Sequence, residues 1–387
     1  MKYTKIFLSL ITSASMLLTM IGNVSATEVS SPATSNYTIT SAYKYPILPG
    51  SSAWKKIKTK QELLDVLQIP NDILHKMSTD ALVDTVLKYP FYMDIYCYNS
   101  AQDGFKAMSQ NFNGFGELLS RPDVGESLIR HYSNMEVFND ERNISSSNGV
   151  HELSNLEILL GQKKVVESLP DTQKQKLRDL AYEKYSKKRL AKNIYGVTAD
   201  AFYQTIKSEP IPNDIRTELL NIDDSDRSIN AVGVNAPDLS YATVKTPKGT
   251  SVTVSVKAEM TFNEFYECNK YTSTSYPNAT KIADPTNNYN CHSYAWYSAS
   301  TSNPYWMQYP SAYMTDGSYS STDLQSVSAG NKIYYPYGGH SGIVYYRPYG
   351  PVTLGSISVT SKWGGCGLMR HAANYCPYST SSVSFWR

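Results

Sequence analysis

A cysteine and a histidine that could act as a catalytic pair lie about fifty residues apart near the end of this 387-residue chain. Cys291 follows Asn290 and begins an apolar run that reaches Trp296. His340 follows a glycine and precedes the strand-forming residues 343–346. One helix packed on one antiparallel sheet can bring such a thiol and imidazole together. Because an imidazole can take the thiol proton and later protonate a leaving amine, this order predicts a cysteine hydrolase.

The residues around Cys291 predict a helix that begins there. Asn288 to Asn290 favour a turn and a helix cap, which places Cys291 in the first helical turn. Free N–H groups and the helix dipole favour the thiolate at that position. The Asn290 amide can donate to a developing oxyanion, a contact worth ~3 kcal/mol where it has been measured. The alternative is a buried cysteine that starts an ordinary helix.

His340 is the preferred base among three histidines. Gly339 and Gly342 remove side-chain bulk beside it, which would let another chain approach closely. His292 is a rival because it is adjacent to Cys291, but in a helix its side chain points about 100° away. His371 is the second rival.

The N-terminal half of the chain is predicted to be helical. Thr59 and Glu62 form a capping-box pattern before a helix that Pro70 stops, and Ser78 or Thr79 caps the next helix. Further helical runs are expected at 102–119, 123–138, 151–168, 171–193 and 198–208. Packing or surface roles are favoured for four residues of this half, which are His75, Cys97, His131 and His151.

The hydrophobic period changes to two after residues 222–240, whose polar, Gly- and Pro-containing composition indicates a linker. Residues 241–246 and 251–257 predict a hairpin with one buried face. Short strands, Tyr- and Ser-rich loops and one clear helix near Cys291 are expected beyond it. The length therefore indicates two domains, residues 27–221 and 241–387.

The first 26 residues are predicted to be a signal peptide. Lys2 and Lys5 precede an apolar run from Ile6 to Ile21, and small residues follow at 24–26. The run is short and polar for a membrane span, which needs about 20 apolar residues, although a retained anchor is an alternative. We therefore expect a secreted chain with no stable membrane span after processing.

Composition limits the possible partners. The net charge of +2 and the 18% of charged residues argue against a nucleic-acid binder, which normally has a concentrated basic face. The 32 tyrosines could stack on sugar rings, or they could form a polar, half-buried sheet surface.

Five cysteines leave at least one thiol unpaired. If Cys291 is free, the other four can pair, and Cys366 with Cys376 is the easiest bridge by sequence separation. Metal binding by Cys366, His371 and Cys376 is the competing interpretation, although no closely spaced cysteine pair supports it.

The segment from Asn290 to Trp296 resembles the amide-plus-cysteine helix start of CHAP domains, the cysteine, histidine-dependent amidohydrolases and peptidases. Residues 329–335 and 339–346 resemble their paired strands, and NlpC-type peptidases share this layout. The resemblance covers 241–387. It implies an α+β, papain-like domain with a cysteine-bearing helix packed on an antiparallel sheet, after an all-helical domain. It also implies that Cys291 is the nucleophile, His340 the base and Asn290 the oxyanion donor, without cofactor or metal.

The third catalytic residue departs from the family pattern. Those families place an acidic or amide residue on the strand after the histidine, and the corresponding stretch here is 356–363. Ser361 falls near the expected position, and Asn374 is another candidate. An inactive or altered relative is therefore an open alternative.

The sequence thus predicts a secreted amidase or endopeptidase that acts on peptide, with peptidoglycan of the cell wall as the expected substrate. Its predicted substrate-contacting residues are Tyr289, Gly339 and Trp363. Two alternatives remain: a non-catalytic surface- or carbohydrate-binding protein, and a thiol-dependent transferase that crosslinks amides. The sequence does not indicate the oligomeric state.

Overall fold

Helices form the N-terminal part of the chain. The computed structural model describes residues 37–139, 149–220 and 240–387. The predicted signal peptide and nearly all of the predicted linker lie outside these ranges. The helices are α1 Ser52–Lys56, α2 Lys60–Asp65, α3 Asn71–Leu74, α4 Thr79–Leu87, α5 Ala101–Asn111, α6 Asn113–Leu118, α7 Val124–Asn134, α8 Gly149–Leu160, α9 Lys163–Ser168, α10 Asp171–Leu190, α11 Lys192–Tyr195, α12 Ala201–Ser208 and α13 Asn213–Leu220.

Local capping accounts for several of these helix starts. The predicted capping box of Thr59 and Glu62 is confirmed at the start of α2. The Ser78 hydroxyl accepts from a backbone N–H in the first turn of α4, so Ser78 is the cap. The predicted run 102–119 forms two helices, α5 and α6. They are separated because Phe112 is extended and its ring stacks on Tyr89 at 4.0 Å.

The C-terminal part begins with the predicted hairpin, which is confirmed. Strands β1 (Ser240–Lys245) and β2 (Ser251–Val256) pair antiparallel, and Val244 lies opposite Val252 on the buried face. A helix that the sequence analysis did not predict, α14 (Phe262–Ser275), follows. Its start carries a second capping box, formed by Thr261 and Glu264, which was the available sequence signal.

A seven-stranded antiparallel sheet completes the fold. Its strands are β3 Thr280–Ala283, β4 Ser321–Thr322, β5 Lys332–Tyr335, β6 His340–Tyr346, β7 Ser358–Lys362, β8 Leu368–Ala372 and β9 Ser384–Trp386. Their order in the sheet is β3-β8-β7-β6-β5-β9-β4. Most helices precede the sheet along the chain, as expected for an α+β fold. The predicted pairing of the strands on either side of Gly339 is confirmed.

The helical part and the sheet share one hydrophobic core. A single cluster of buried side chains runs from Tyr45 to Phe385, and the whole range from Tyr37 to Arg387 forms one compact unit. The two predicted domains are therefore packed against each other rather than separated. A smaller cluster lies between the hairpin and Trp296.

A buried polar network lies in this shared core. Lys60 Nζ lies 2.7 Å from Asp94 Oδ2, and the Tyr271 and Tyr276 hydroxyls donate to the same carboxylate. Lys60 and Asp94 come from the helical part, whereas both tyrosines belong to the C-terminal part. Burial costs such groups their hydration, so this network depends on every partner staying in place.

The disulfide joins Cys268 in α14 to Cys366 in the loop after β7, with 5.2 Å between the Cα atoms. The expected Cys366–Cys376 bridge is therefore wrong, because Cys366 already has a partner. Among the described residues, Cys97, Cys291 and Cys376 are free and buried. No described helix has the length and apolar character needed to cross a membrane.

Candidate active site

Cys291 lies in the first turn of a short helix, as the sequence predicts. The Asn290 side-chain oxygen accepts from the Ser293 N–H at 3.0 Å, and this N-cap bond fixes where the helix begins. The helix continues as a π-helical turn over Ser293–Tyr297, and the Ser298 N–H bonds to the Ser293 carbonyl. The cap and the reactive candidate are therefore neighbours.

The Cys291 thiol lies against the main chain on both sides of His340. Its Sγ donates to the Gly339 carbonyl oxygen at 3.9 Å, and on the other side of His340 the Ser341 N–H acts to lower the pKa of the thiol. The side chain is only 2% exposed. Burial raises the pKa of Cys291 to about 12, although the N–H groups of Ser341 and His292 oppose the shift. In this arrangement the thiol is neutral at physiological pH.

Asn290 uses its whole side-chain amide in this structure. Its oxygen accepts from the Ser293 and Met307 N–H groups. Its Nδ2 donates to the Met307 carbonyl at 2.6 Å and to Asn99 Oδ1 at 2.8 Å. Both amide hydrogens are therefore occupied, one of them by a residue from the helical part.

His340 begins β6 and is completely buried. Its ring stacks on Tyr378, with 3.5 Å between ring centres and 9° between planes. Neither ring nitrogen has a hydrogen-bond partner among the described residues. Burial lowers the pKa of His340 well below its usual value. The structure thus brings Cys291 to the backbone beside His340 but does not join the thiol to the imidazole.

Ser341, rather than His340, faces the helix that follows Cys291. Its hydroxyl lies 2.8 Å from His292 Nδ1 and accepts from Trp296 Nε1 at 2.8 Å. Successive strand residues point to opposite faces, so His340 points away from these two rings. Burial lowers the pKa of His292 to about 3, although a hydrogen bond to the Gly339 carbonyl acts in the opposite direction. His292 is neutral and holds the sheet and the helix together.

The structure gives Ser361 a different partner from the predicted one. Its hydroxyl lies 2.7 Å from His371 Nε2 and accepts from Trp363 Nε1 at 3.1 Å. The expectation that Ser361 orients His340 is therefore corrected, because its hydroxyl is already engaged by two rings. Asn374, the other candidate, lies beside Gly355.

The predicted substrate-contacting residues are mostly buried. Trp363 has no exposed surface and packs on Tyr276 and His371, so it does not form a groove wall here. Tyr289 is also buried. Gly339 adopts a left-handed conformation with a φ of 52°, which favours glycine, and its carbonyl accepts from Asn99 Nδ2 at 3.3 Å.

Lys362 is a buried residue whose structural role no sequence pattern had indicated. Its ammonium donates to the carbonyls of Thr286, Gly364 and Cys366, and burial lowers its pKa to about 7. These bonds fix the loop that contains the disulfide. A lone lysine after a strand gives no sequence signal for this role.

No protein-family model, curated protein or solved structure matches this chain at a significant level. Within the ranges that the structure describes, no three His, Cys, Asp or Glu residues are grouped so that they could hold a metal ion. Cys366, one member of the alternative metal set, is in the disulfide. Any functional conclusion therefore rests on the geometry around Cys291.

Tyr96–Ser100, here called the covering segment, lies across this site from the helical part. The Tyr98 hydroxyl donates to the Pro377 carbonyl, and the Cys97 carbonyl accepts from the Tyr378 hydroxyl. A Cβ at Gly364 would come within 2.6 Å of the Cys97 backbone, so the two chain segments are in close contact. The covering segment thus closes the site that contains Cys291, a role that the sequence did not indicate for any of its residues.

Proposed function

We propose that this protein is a secreted cysteine amidase or endopeptidase with a papain-like, CHAP-like C-terminal part. The observation that carries the proposal is a free thiol, Cys291, at a capped helix start against the main chain on both sides of His340. Cys291 is the nucleophile in this proposal, and His340 is the base. Asn290 is the oxyanion donor.

The proposed reaction has two steps. The Cys291 sulfur attacks the amide carbonyl while His340 takes its proton, and Asn290 Nδ2 donates to the oxygen that becomes negative. The C–N bond then breaks, His340 protonates the leaving amine and a thioester remains. Water, deprotonated by His340, attacks the thioester, which releases the acid and restores the thiol.

The closed arrangement corresponds to a latent form in this proposal. The Cys291 thiol and the His340 ring are neutral and not bonded to each other, and Asn99 holds one of the Asn290 amide hydrogens. Withdrawal of the covering segment would free that hydrogen and expose the thiol to a substrate. It would also remove part of the burial that raises the pKa of Cys291.

Peptide of the bacterial cell wall is the proposed substrate class, and the outside of the cell is the proposed compartment. The signal-peptide pattern of residues 1–26 and the Cys268–Cys366 disulfide support secretion, because disulfides persist in oxidising compartments. The resemblance of the Cys291 segment to CHAP domains supports the substrate class.

A non-catalytic surface-binding protein is the second candidate. The observation that favours it is the burial of Cys291, together with the raised pKa of its thiol. In that case the residues around Cys291 have only a packing role. A transferase would share the thiol but would deliver the acyl group to an amine.

The test is digestion of purified, crosslinked peptidoglycan fragments with the wild-type chain and its Cys291→Ala variant, with and without methylamine. The proposal expects mass-spectrometric products that gain one water per cleaved bond, and none with Cys291→Ala. Products that carry methylamine would support the transferase. If Cys291 can be alkylated in the folded wild-type chain and that chain still cleaves no more than Cys291→Ala does, the enzyme proposal fails and the binding protein becomes the supported candidate.

A further inference from the structure

A second site lies between the helical part and the residues that follow the hairpin. It is a cavity of about 340 Å³, within the range of small-molecule sites. Much of its lining is apolar and includes Ile95, Ile158, Ala201 and Met260. Cys291 does not line it, although Asn99 and other residues of the covering segment do, so the cavity and the thiol lie on different sides of that segment's contacts.

Three buried side chains on the cavity wall have polar atoms without partners. Both ring nitrogens of His151, Nδ2 of Asn287 and Nε1 of Trp306 have no hydrogen-bond partner among the described residues. These residues are 8%, 6% and 4% exposed, respectively. Leaving such a group buried without a partner is unfavourable, because it loses its hydration and gains no hydrogen bond in return. Their presence around one cavity therefore indicates that something else supplies the missing hydrogen-bond partners.

Lys257 adds a positive charge to the same wall. Its Nζ lies 3.3 Å from the centre of the Trp306 ring. Among the described residues, no carboxylate pairs with it within ion-pair distance. Burial lowers the pKa of Lys257 to about 8, so the ammonium form still predominates at neutral pH.

The acidic residues of the cavity are already engaged. Glu264 accepts from the Thr261 N–H in the capping box of α14. Asp200 accepts from the Gln204 amide on the neighbouring turn of α12. Apart from His151, whose neutral ring has one donor and one acceptor nitrogen, the unpaired polar groups of the described lining are the Lys257 ammonium, an indole N–H and an amide NH₂. All three are donors.

We infer that this cavity binds a small ligand with an apolar body and a carboxylate, which Lys257, Trp306 and Asn287 receive. A carboxylate offers about four acceptor positions and the charge that complements an ammonium. The apolar wall covers the rest of the ligand. This site does not depend on the proposed amidase activity, because it is defined without Cys291.

The test is isothermal titration of the full chain with 3-phenylpropionate and with its neutral analogue 3-phenylpropionamide. The wild-type chain should bind the carboxylate at least about tenfold more tightly than the amide, because a charge-assisted contact is lost in the amide. Lys257→Met should remove that preference. Lys248→Met is the matched control, since Lys248 is an exposed lysine of the hairpin turn. The control should leave both affinities unchanged.

Two further variants test the indole donor and the independence of the cavity from the thiol. Trp306→Phe keeps an aromatic ring but removes the donor, and it should weaken carboxylate binding about fivefold. Cys291→Ala should bind as the wild type does, whatever the outcome of the amidase assay. The inference is overturned if the carboxylate does not bind, if it binds no better than the amide, or if folded Lys257→Met keeps the preference.

Discussion

Replacing Asn99 with alanine should open the Cys291 site. Asn99 makes two hydrogen bonds there: it accepts from Asn290 Nδ2 at 2.8 Å and donates to the Gly339 carbonyl at 3.3 Å. Each hydrogen bond contributes about 0.5–1.5 kcal/mol, so their loss should favour local opening by about 1–3 kcal/mol. That corresponds to a roughly 5- to 150-fold larger population of the open form.

The assay is alkylation by iodoacetamide at pH 8 without reductant, with each cysteine followed by mass spectrometry. In the wild-type chain Cys291 should react slowly, because its thiol is buried and its pKa is raised to about 12. In Asn99→Ala its rate should rise by the same factor as the open population. Cys376, also buried, donates to the Ala373 and Tyr378 carbonyls rather than to the covering segment, so it reports wider unfolding and should stay slow.

Ser100→Ala is the matched control for this variant. Ser100 is the next residue, and its hydroxyl caps α5 by accepting from the Asp103 N–H at 3.1 Å. Loss of a cap costs about 1 kcal/mol, similar to the lower bound for Asn99, but it removes no contact to the thiol site. The reasoning is refuted if both variants accelerate Cys291 equally, or if Cys291 and Cys376 accelerate together in Asn99→Ala.

Three further predictions concern stability, measured by urea unfolding. Lys60→Met should lower the free energy of unfolding by about 3 kcal/mol, because it leaves the buried Asp94 carboxylate without its cation. Lys187→Met, which removes an exposed ion pair, should change it by less than about 1 kcal/mol, and equal effects would contradict this account. Loss of the Cys268–Cys366 disulfide in the double alanine variant should cost about 2–4 kcal/mol. Non-reducing peptide maps should recover this bridge, and a Cys366–Cys376 bridge would refute the pairing. Finally, stability should fall by about 1.4 kcal/mol per buried histidine between pH 7.5 and pH 5.5. Burial keeps the folded pKa of each histidine below the unfolded value near 6.5, so only the unfolded chain takes up protons in that window. A stability that does not change with pH would contradict this prediction. These histidines are His151, His292, His340 and His371.

Local sequence signals determined many of the elements. The Thr59 capping box, the Ser78 cap and the alternation around Val252 all act within a few residues, so they can be interpreted without the fold. Helix α14 was missed although Thr261 begins it with the same kind of box. Its buried face consists largely of residues such as Cys268 and Thr272 rather than a periodic apolar stripe.

The candidate site also has some features that the local sequence determines and others that depend on distant contacts. Asn290 caps the helix three residues before Ser293, so the sequence alone determined that Cys291 begins a helix. Only the tertiary structure decided that Asn99, distant in sequence, occupies the Asn290 amide, and that His340 stacks on Tyr378. The protonation of both candidate catalytic groups follows from those contacts. Desolvation depends on which distant segments cover a side chain, and no short-range pattern in the sequence contains that information.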